Sequence, residues 1–187
     1  EKYAVYVYTD EECTHIPGAV RGKGHFDVDM MNILFQRSVL EYALRQGTAP
    51  DIVHCQDAHT ASLPAIARVD PRFADAFRQT GFVVTIHNAG PGYRQTIQGL
   101  DQAMRITGLS REAMAPAMFD GRFEPFLLAA AYARLSTVSP QYATELTSDE
   151  GNANSDGLAG EFHRRGVEID GITNGIDYAR YDPRDTS

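Results

Sequence analysis

Five short runs rich in β-branched and aromatic residues, spaced by segments of helical periodicity, constrain this chain most. The runs are YAVYVY (3–8), DIVHC (51–55), FVVTIH (82–87), RLSTVS (134–139) and IDGIT (169–173). Near-continuous apolar strands alternating with helices imply an α/β fold with a mainly parallel sheet covered on both faces. The segment 30–46 places Ile33, Leu34, Leu40, Tyr42, Ala43 and Leu44 mostly on one side at helical spacing. The segment 59–69 is a shorter helix candidate, provided that its Pro64 falls in the first turn. EPFLLAAAYARL (124–135) and PQYATELTS (140–148) follow, and DGLAGEFHRRG (156–166) closes on a glycine suited to a C-cap. Two segments break the rhythm. Residues 9–25 are polar and glycine-rich, and residues 88–104 open on a Gly-Pro-Gly turn. Residues 149–156, DEGNANSD, read as the most loop-like late stretch.

Composition removes several classes. A chain of 187 residues is long enough for one sizeable core, and one domain is expected. No apolar run approaches the roughly 20 residues of a membrane helix, so no membrane partner is expected. A net charge of −8 argues against nucleic acid. It also means that a phosphate-bearing ligand would need cations from elsewhere. Cys13 and Cys55 make no disulfide framework, which suits a reducing cytoplasm. The chain starts at Glu1 without signal-peptide features and reads as an excised or processed piece. No CxxC or HExxH occurs, no GxGxxG follows the first strand, and there is no P-loop. Neither a metal nor a cofactor is expected. RGKGHF (21–26) reads as a surface loop, and a Cys55–His59 nucleophile pair has no local support.

Ligands of open α/β sheets bind outside the carboxyl ends of the strands. The polar clusters of this chain fall there: VHCQDAHT after one strand, TIHNAGPG after another, TVSPQY after a third and ITNGID after a fourth. Together they outline one crevice. Each cluster also has a plainer reading. Of His54 and Cys55, at alternating positions, one belongs to the core. Asp57 suits a helix cap, and His59 a first helical turn. His87-Asn88 suits a turn, with Asn88 bonding backbone. Ser139-Pro140 is an ordinary helix start, with Ser as N-cap and Pro at the first position. Asn174-Gly175 is by itself a turn signal.

Taken in order, these motifs resemble one family. PDIVHCQDAHTASLPA looks like the PDvvHaHDWHtgLvPa stretch of bacterial glycogen synthases and plant starch synthases. VVTIHNAGPGY, AAAYARLSTVSPQYATEL, GLAGEFHRRGVEIDGITNGIDYARYDP and GHFDVDMMNILFQRSVLEYA are similar to further segments of that family. The likeness runs from about residue 23 to the end. It implies a GT-B architecture, two Rossmann-like domains facing each other across a cleft. Residues 1–187 would be most of the N-terminal, acceptor-side domain, with a doubly wound, mainly parallel sheet. The C-terminal nucleotide-sugar domain is absent from this chain. The implied activity is transfer of glucose from ADP-glucose or UDP-glucose to the nonreducing end of an α-1,4-glucan, with retention and without metal. Asp57 matches an active-site carboxylate, His87 a histidine touching the transferred glucose, and Asn174 an asparagine of the same sugar pocket. Asn88 and His59 keep family identities beside them.

Departures are also visible. The family's HDWH is here Gln56-Asp57-Ala58-His59, and the chain has no Trp. The family's Lys-x-Gly-Gly donor loop is not found, so the chain alone is expected to be inactive. The altered motif also suits a weakened glucan-binding relative. A GT-B enzyme with another donor or acceptor, or an unrelated α/β binding module, are the remaining readings.

Overall fold

The computed structural model describes residues 25–47, 49–177, 181 and 184. The run at 3–8, Cys13 and the loop at 21–24 lie outside the described residues. The chain begins with α1 (His25–Arg45), β1 (Ile52–Gln56), α2 (Leu63–Val69) and β2 (Gly81–Ile86). An excursion follows: β3 (Ile97–Gln98), α3 (Leu100–Thr107), α4 (Arg111–Met114), β4 (Met118–Phe119) and β5 (Arg122–Phe123). The alternation then resumes with α5 (Pro125–Tyr132), β6 (Arg134–Thr137), α6 (Pro140–Leu146), α7 (Asn152–Ser155), α8 (Leu158–Arg164) and β7 (Ile169–Gly171).

Four of the five expected strands form one parallel sheet in the order β1-β2-β6-β7. This is the Rossmann-like α/β class expected, but the described crossover helices do not cover both faces as the alternation implied. Every crossover steps the same way along the sheet, and right-handed crossovers then place their helices on one face. That face carries Cys55, Phe82, Val84, Ile86 and Leu135, all buried in one core with Ile66 of α2 and Phe126 and Leu128 of α5. The opposite face carries Gln56 together with His54, Thr85 and Ser136, and the last three are linked by side-chain hydrogen bonds: His54 Nε2 to Thr85 Oγ1 at 2.6 Å and Thr85 Oγ1 to Ser136 Oγ at 2.8 Å. Strand alternation makes Cys55 the core member of its pair and leaves His54 on the polar face.

Several expectations need correction. In α1, Ile33 and Leu40 are buried but Leu34 and Tyr42 are exposed. Asp29 and Gln36 complete the inward stripe with them, at spacings of four, three and four residues. Polar side chains therefore occupy positions that an apolar count misses. Residues 149–156 contain a 3-10 turn and α7 rather than a plain loop. Asn152 holds that segment in place by accepting from the Gly160 N–H at 2.6 Å. Asp57 caps no helix, and His59 precedes α2 in a run of turns. Pro64 does lie in the first turn of α2. Ser139 caps α6 as expected, accepting from the Tyr142 N–H at 3.0 Å. Gly166, at φ +64°, ends α8 while the Val167 N–H closes back on the Phe162 carbonyl at 3.0 Å. Among the described residues no helix is long and apolar enough to cross a membrane.

Two stability predictions follow from close packing and burial. At Gly171 an added Cβ would fall 2.6 Å from Pro140 N and Ser139 O. Gly171→Ala must therefore push β7 from α6, and an overpacking loss of about 1–3 kcal/mol is expected in urea unfolding. Burial pushes the Asp29 carboxyl up to about 7. Its folded pKa thus exceeds the value of about 4 of an unfolded aspartate. The stability tied to its proton is complete below about pH 4 and is lost as pH rises towards about 7. Asp29→Asn should therefore melt above wild type at pH 8 and with it at pH 4.

Candidate functional site

The carboxyl ends of β1, β2 and β6, with the segment after β7, surround a cavity of about 370 Å³. His54, Gln56, Thr85, His87, Thr137 and Asn174 are among its lining residues. Four strand ends thus meet at one place because parallel strands deliver their polar C-terminal residues to the same sheet edge. Thr137 ties two of them together, donating from its hydroxyl to the Ile86 carbonyl at 2.6 Å and accepting from the Ile172 N–H at 2.8 Å through its own carbonyl.

Asp57 is the hinge of the β1 end. Its φ of +57° lies in the left-handed region, which Asp enters more readily than most residues. The turn sends its carboxylate across to β2, where Oδ1 accepts from the His87 backbone N–H at 2.8 Å. Its own N–H donates to the Thr85 carbonyl at 2.9 Å. Thr60 secures the turn from beyond, bonding both the N–H and the carbonyl of Gln56 at 2.8 and 2.7 Å. The His87 ring is held by Gln56, with Nε2 2.8 Å from Gln56 Oε1. An amide oxygen only accepts, so Nε2 carries the proton and donates. Gln56, which stands where the family motif has histidine, therefore orients the neighbouring ring.

The five sequence candidates separate. His87 and Asn174 line the one cavity, and Asp57 is bonded to His87 behind it. Asn88 turns away: its Oδ1 accepts from the Gly90 N–H at 2.8 Å, the turn role that its sequence neighbours suggested. His59 is exposed, outside the cavity lining, and its carbonyl accepts from Gln36 Nε2 at 2.9 Å. Cys55 is buried, and burial pushes its thiol up to about 12. A thiol so held stays protonated and unreactive. No cluster of three His, Cys, Asp or Glu side chains suited to a metal occurs among the described residues.

Sequence reasoning missed the framework beneath the loop that follows His87. Arg94 and Glu124 are both fully buried, with Nε and Oε2 2.7 Å apart. Arg94 also donates to the Ser155 carbonyl at 2.5 Å and stacks over the Phe119 ring at 5.8 Å. Glu124 caps α5, accepting from the Phe126 N–H at 3.1 Å. Burial drives its carboxyl pKa upward, against the pull of the Arg94 guanidinium. From the other side, Tyr142 Oη accepts from the Ala89 N–H at 2.9 Å. A signal for the hairpin in this framework was present: Asp120-Gly121, both at positive φ, joins β4 to β5.

With this geometry in view, comparison with known proteins is direct. A family model described as starch synthase catalytic domain matches residues 1–161. A glycogen synthase of Thermodesulfovibrio yellowstonii is 32% identical over 159 residues, covering 82% of this chain and 30% of that protein. A glycogen synthase of Clostridium kluyveri is 31% identical over 163 residues, covering 86% and 33%. Among solved structures, the catalytic domain of starch synthase IV from Arabidopsis thaliana, bound to ADP and acarbose, superposes with a TM-score of 0.67 at 27% identity. It covers 84% of this chain and 32% of that one. The chain spans about a third of the length of these relatives. On the extent of the family match and the identity to the glycogen synthases, the chain belongs to the starch synthase catalytic-domain family.

Proposed function

We propose that this chain is part of the acceptor-side domain of a glycosyltransferase that moves glucose from a nucleotide sugar to the nonreducing end of an α-1,4-glucan with retention. ADP-glucose and UDP-glucose are the donors considered. The observation that carries the reading is the convergence of His87, Asp57 and Asn174 at the carboxyl edge of the sheet, in a chain of this family. His87 and Asn174 offer directional donors and acceptors for sugar hydroxyls. The Asp57 carboxylate fixes the His87 backbone and supplies negative charge near a centre where an oxocarbenium-like state becomes positive. No metal enters this scheme.

The charge of −8 leaves the diphosphate of the donor to cations outside this chain. A second domain of the same protein is the proposed source, and residues 1–187 alone are expected not to transfer sugar. The reading is tested by offering the full-length protein labelled ADP-glucose or UDP-glucose with glycogen. Incorporation of label from one of them supports it. Absence of incorporation from both, with glycogen still bound, would replace it with the glucan-binding relative suggested by the Gln56–Ala58 changes.

A further inference from the structure

Gln56 and His87 meet only after both backbones are pinned. Thr60 Oγ1 bonds the N–H and the carbonyl of Gln56 at 2.8 and 2.7 Å. Asp57 Oδ1 accepts from the His87 N–H at 2.8 Å, and the Asp57 N–H donates to the carbonyl of Thr85, the register partner of Gln56. His87 stands two residues past Thr85. Its ring and the Gln56 amide therefore come together at the wall of one cavity, with Nε2 2.8 Å from Oε1.

That bond sets what the ring can do next. A neutral imidazole has one donor nitrogen and one acceptor nitrogen, and the bond made by one fixes the role of the other. Because Oε1 takes the proton of Nε2, Nδ1 keeps its lone pair. Among the described residues no other side chain is bonded to the ring. The titratable groups around it are engaged elsewhere: Asp57 on the His87 backbone, His54 Nε2 on Thr85 Oγ1 at 2.6 Å, and Tyr142 Oη on the Ala89 N–H at 2.9 Å. Residue 56 alone sets the tautomer. The histidine of the family motif would change its role there on protonation. A glutamine does not titrate, so its oxygen stays available at every pH.

We infer that Gln56 is a positioning residue: by accepting from Nε2 it makes His87 a hydrogen-bond acceptor through Nδ1. The ligand group recognised there must then be a donor, a hydroxyl rather than a carboxylate or an ether oxygen. The Gln56 amide nitrogen, with no partner among the described residues, supplies a donor beside that acceptor. That the hydroxyl belongs to a sugar rests on the proposed function; the tautomer does not.

The test reverses the hydrogen-bond sense of residue 56. In Gln56→Lys the side chain only donates, and in Gln56→Glu the carboxylate only accepts. Full-length protein labelled with ¹⁵N at histidine is compared as wild type and both variants, well above the ordinary histidine range so that the rings are neutral. Long-range proton–nitrogen spectra report which ring nitrogen carries the proton, His87→Ala identifies the signal, and thermal melting checks that each variant is folded. His87 should carry its proton on Nε2 in wild type and Gln56→Glu, and on Nδ1 in Gln56→Lys. With glycogen and the nucleotide sugar, kcat of Gln56→Lys should fall about tenfold or more, the scale of one lost hydrogen bond, and Gln56→Glu should recover part of that loss. A wild-type ring protonated on Nδ1, or one tautomer shared by wild type and Gln56→Lys, would overturn the inference. So would a Gln56→Lys protein that switches tautomer yet transfers sugar as fast as wild type. If wild type transfers from neither ADP-glucose nor UDP-glucose, the proposed enzyme falls, and the spectra by themselves uphold or overturn the role of Gln56.

Discussion

Arg94→Met should lower the stability of the protein by about 3–5 kcal/mol, the cost of stranding one partner of a buried ion pair. The substitution leaves Glu124 fully buried without its guanidinium. It also removes the donor to the Ser155 carbonyl and the cation over Phe119, so the β4–β5 hairpin, α5 and α7 lose a common anchor. The control is Arg94→Met/Glu124→Leu. Removing both charges avoids the stranded carboxylate, and such replacements are often near neutral. Urea unfolding should therefore place the double variant well above the single one. Equal midpoints for the single variant and wild type would show that the pair carries no net weight.

A larger effect on activity is expected at Asp57. In the full-length protein, Asp57→Ala should reduce kcat by about a hundredfold or more, the scale for loss of a preorganised active-site group. Two jobs end with the carboxylate: it no longer holds the His87 N–H, and its charge leaves the site. Asp57→Asn separates them. Its amide oxygen can still accept from His87, so the β1 and β2 ends should stay aligned and the melting temperature should hold. The account assigns the carboxylate an electrostatic role, so kcat of the Asn variant should lie within a few-fold of the Ala variant. A near-normal Asn variant would reduce Asp57 to a positioning residue.

The contrast between these two sites shows what was legible in the sequence. Strands β1, β2, β6 and β7 announced themselves as short runs rich in β-branched residues between helical segments. Their polar C-terminal neighbours then had to meet at one edge, and His87 and Asn174 do. Local pattern could say that Asn88 bonds the backbone two residues on, but not that Asp57 reaches a residue 30 positions away. The Gln56–His87 bond spans 31 positions, so Gln56 read as a lost histidine until the strands were paired. Arg94 and Glu124 gave no signal as partners, because a buried charge pair is defined by tertiary packing alone. The inward face of α1 failed for a related reason: its Asp29 and Gln36 look like solvent-facing residues to any hydropathy count.

The central claim is that the carboxyl edge of this sheet takes part in sugar transfer through His87. A single-turnover experiment tests it most directly, with full-length enzyme in excess over labelled nucleotide sugar and saturating glycogen. This isolates the transfer step from binding and product release. Wild type should transfer label in one phase, and His87→Ala should do so about a hundredfold more slowly or worse, with unchanged melting temperature. Equal rates in the two proteins would contradict the account and move the site elsewhere.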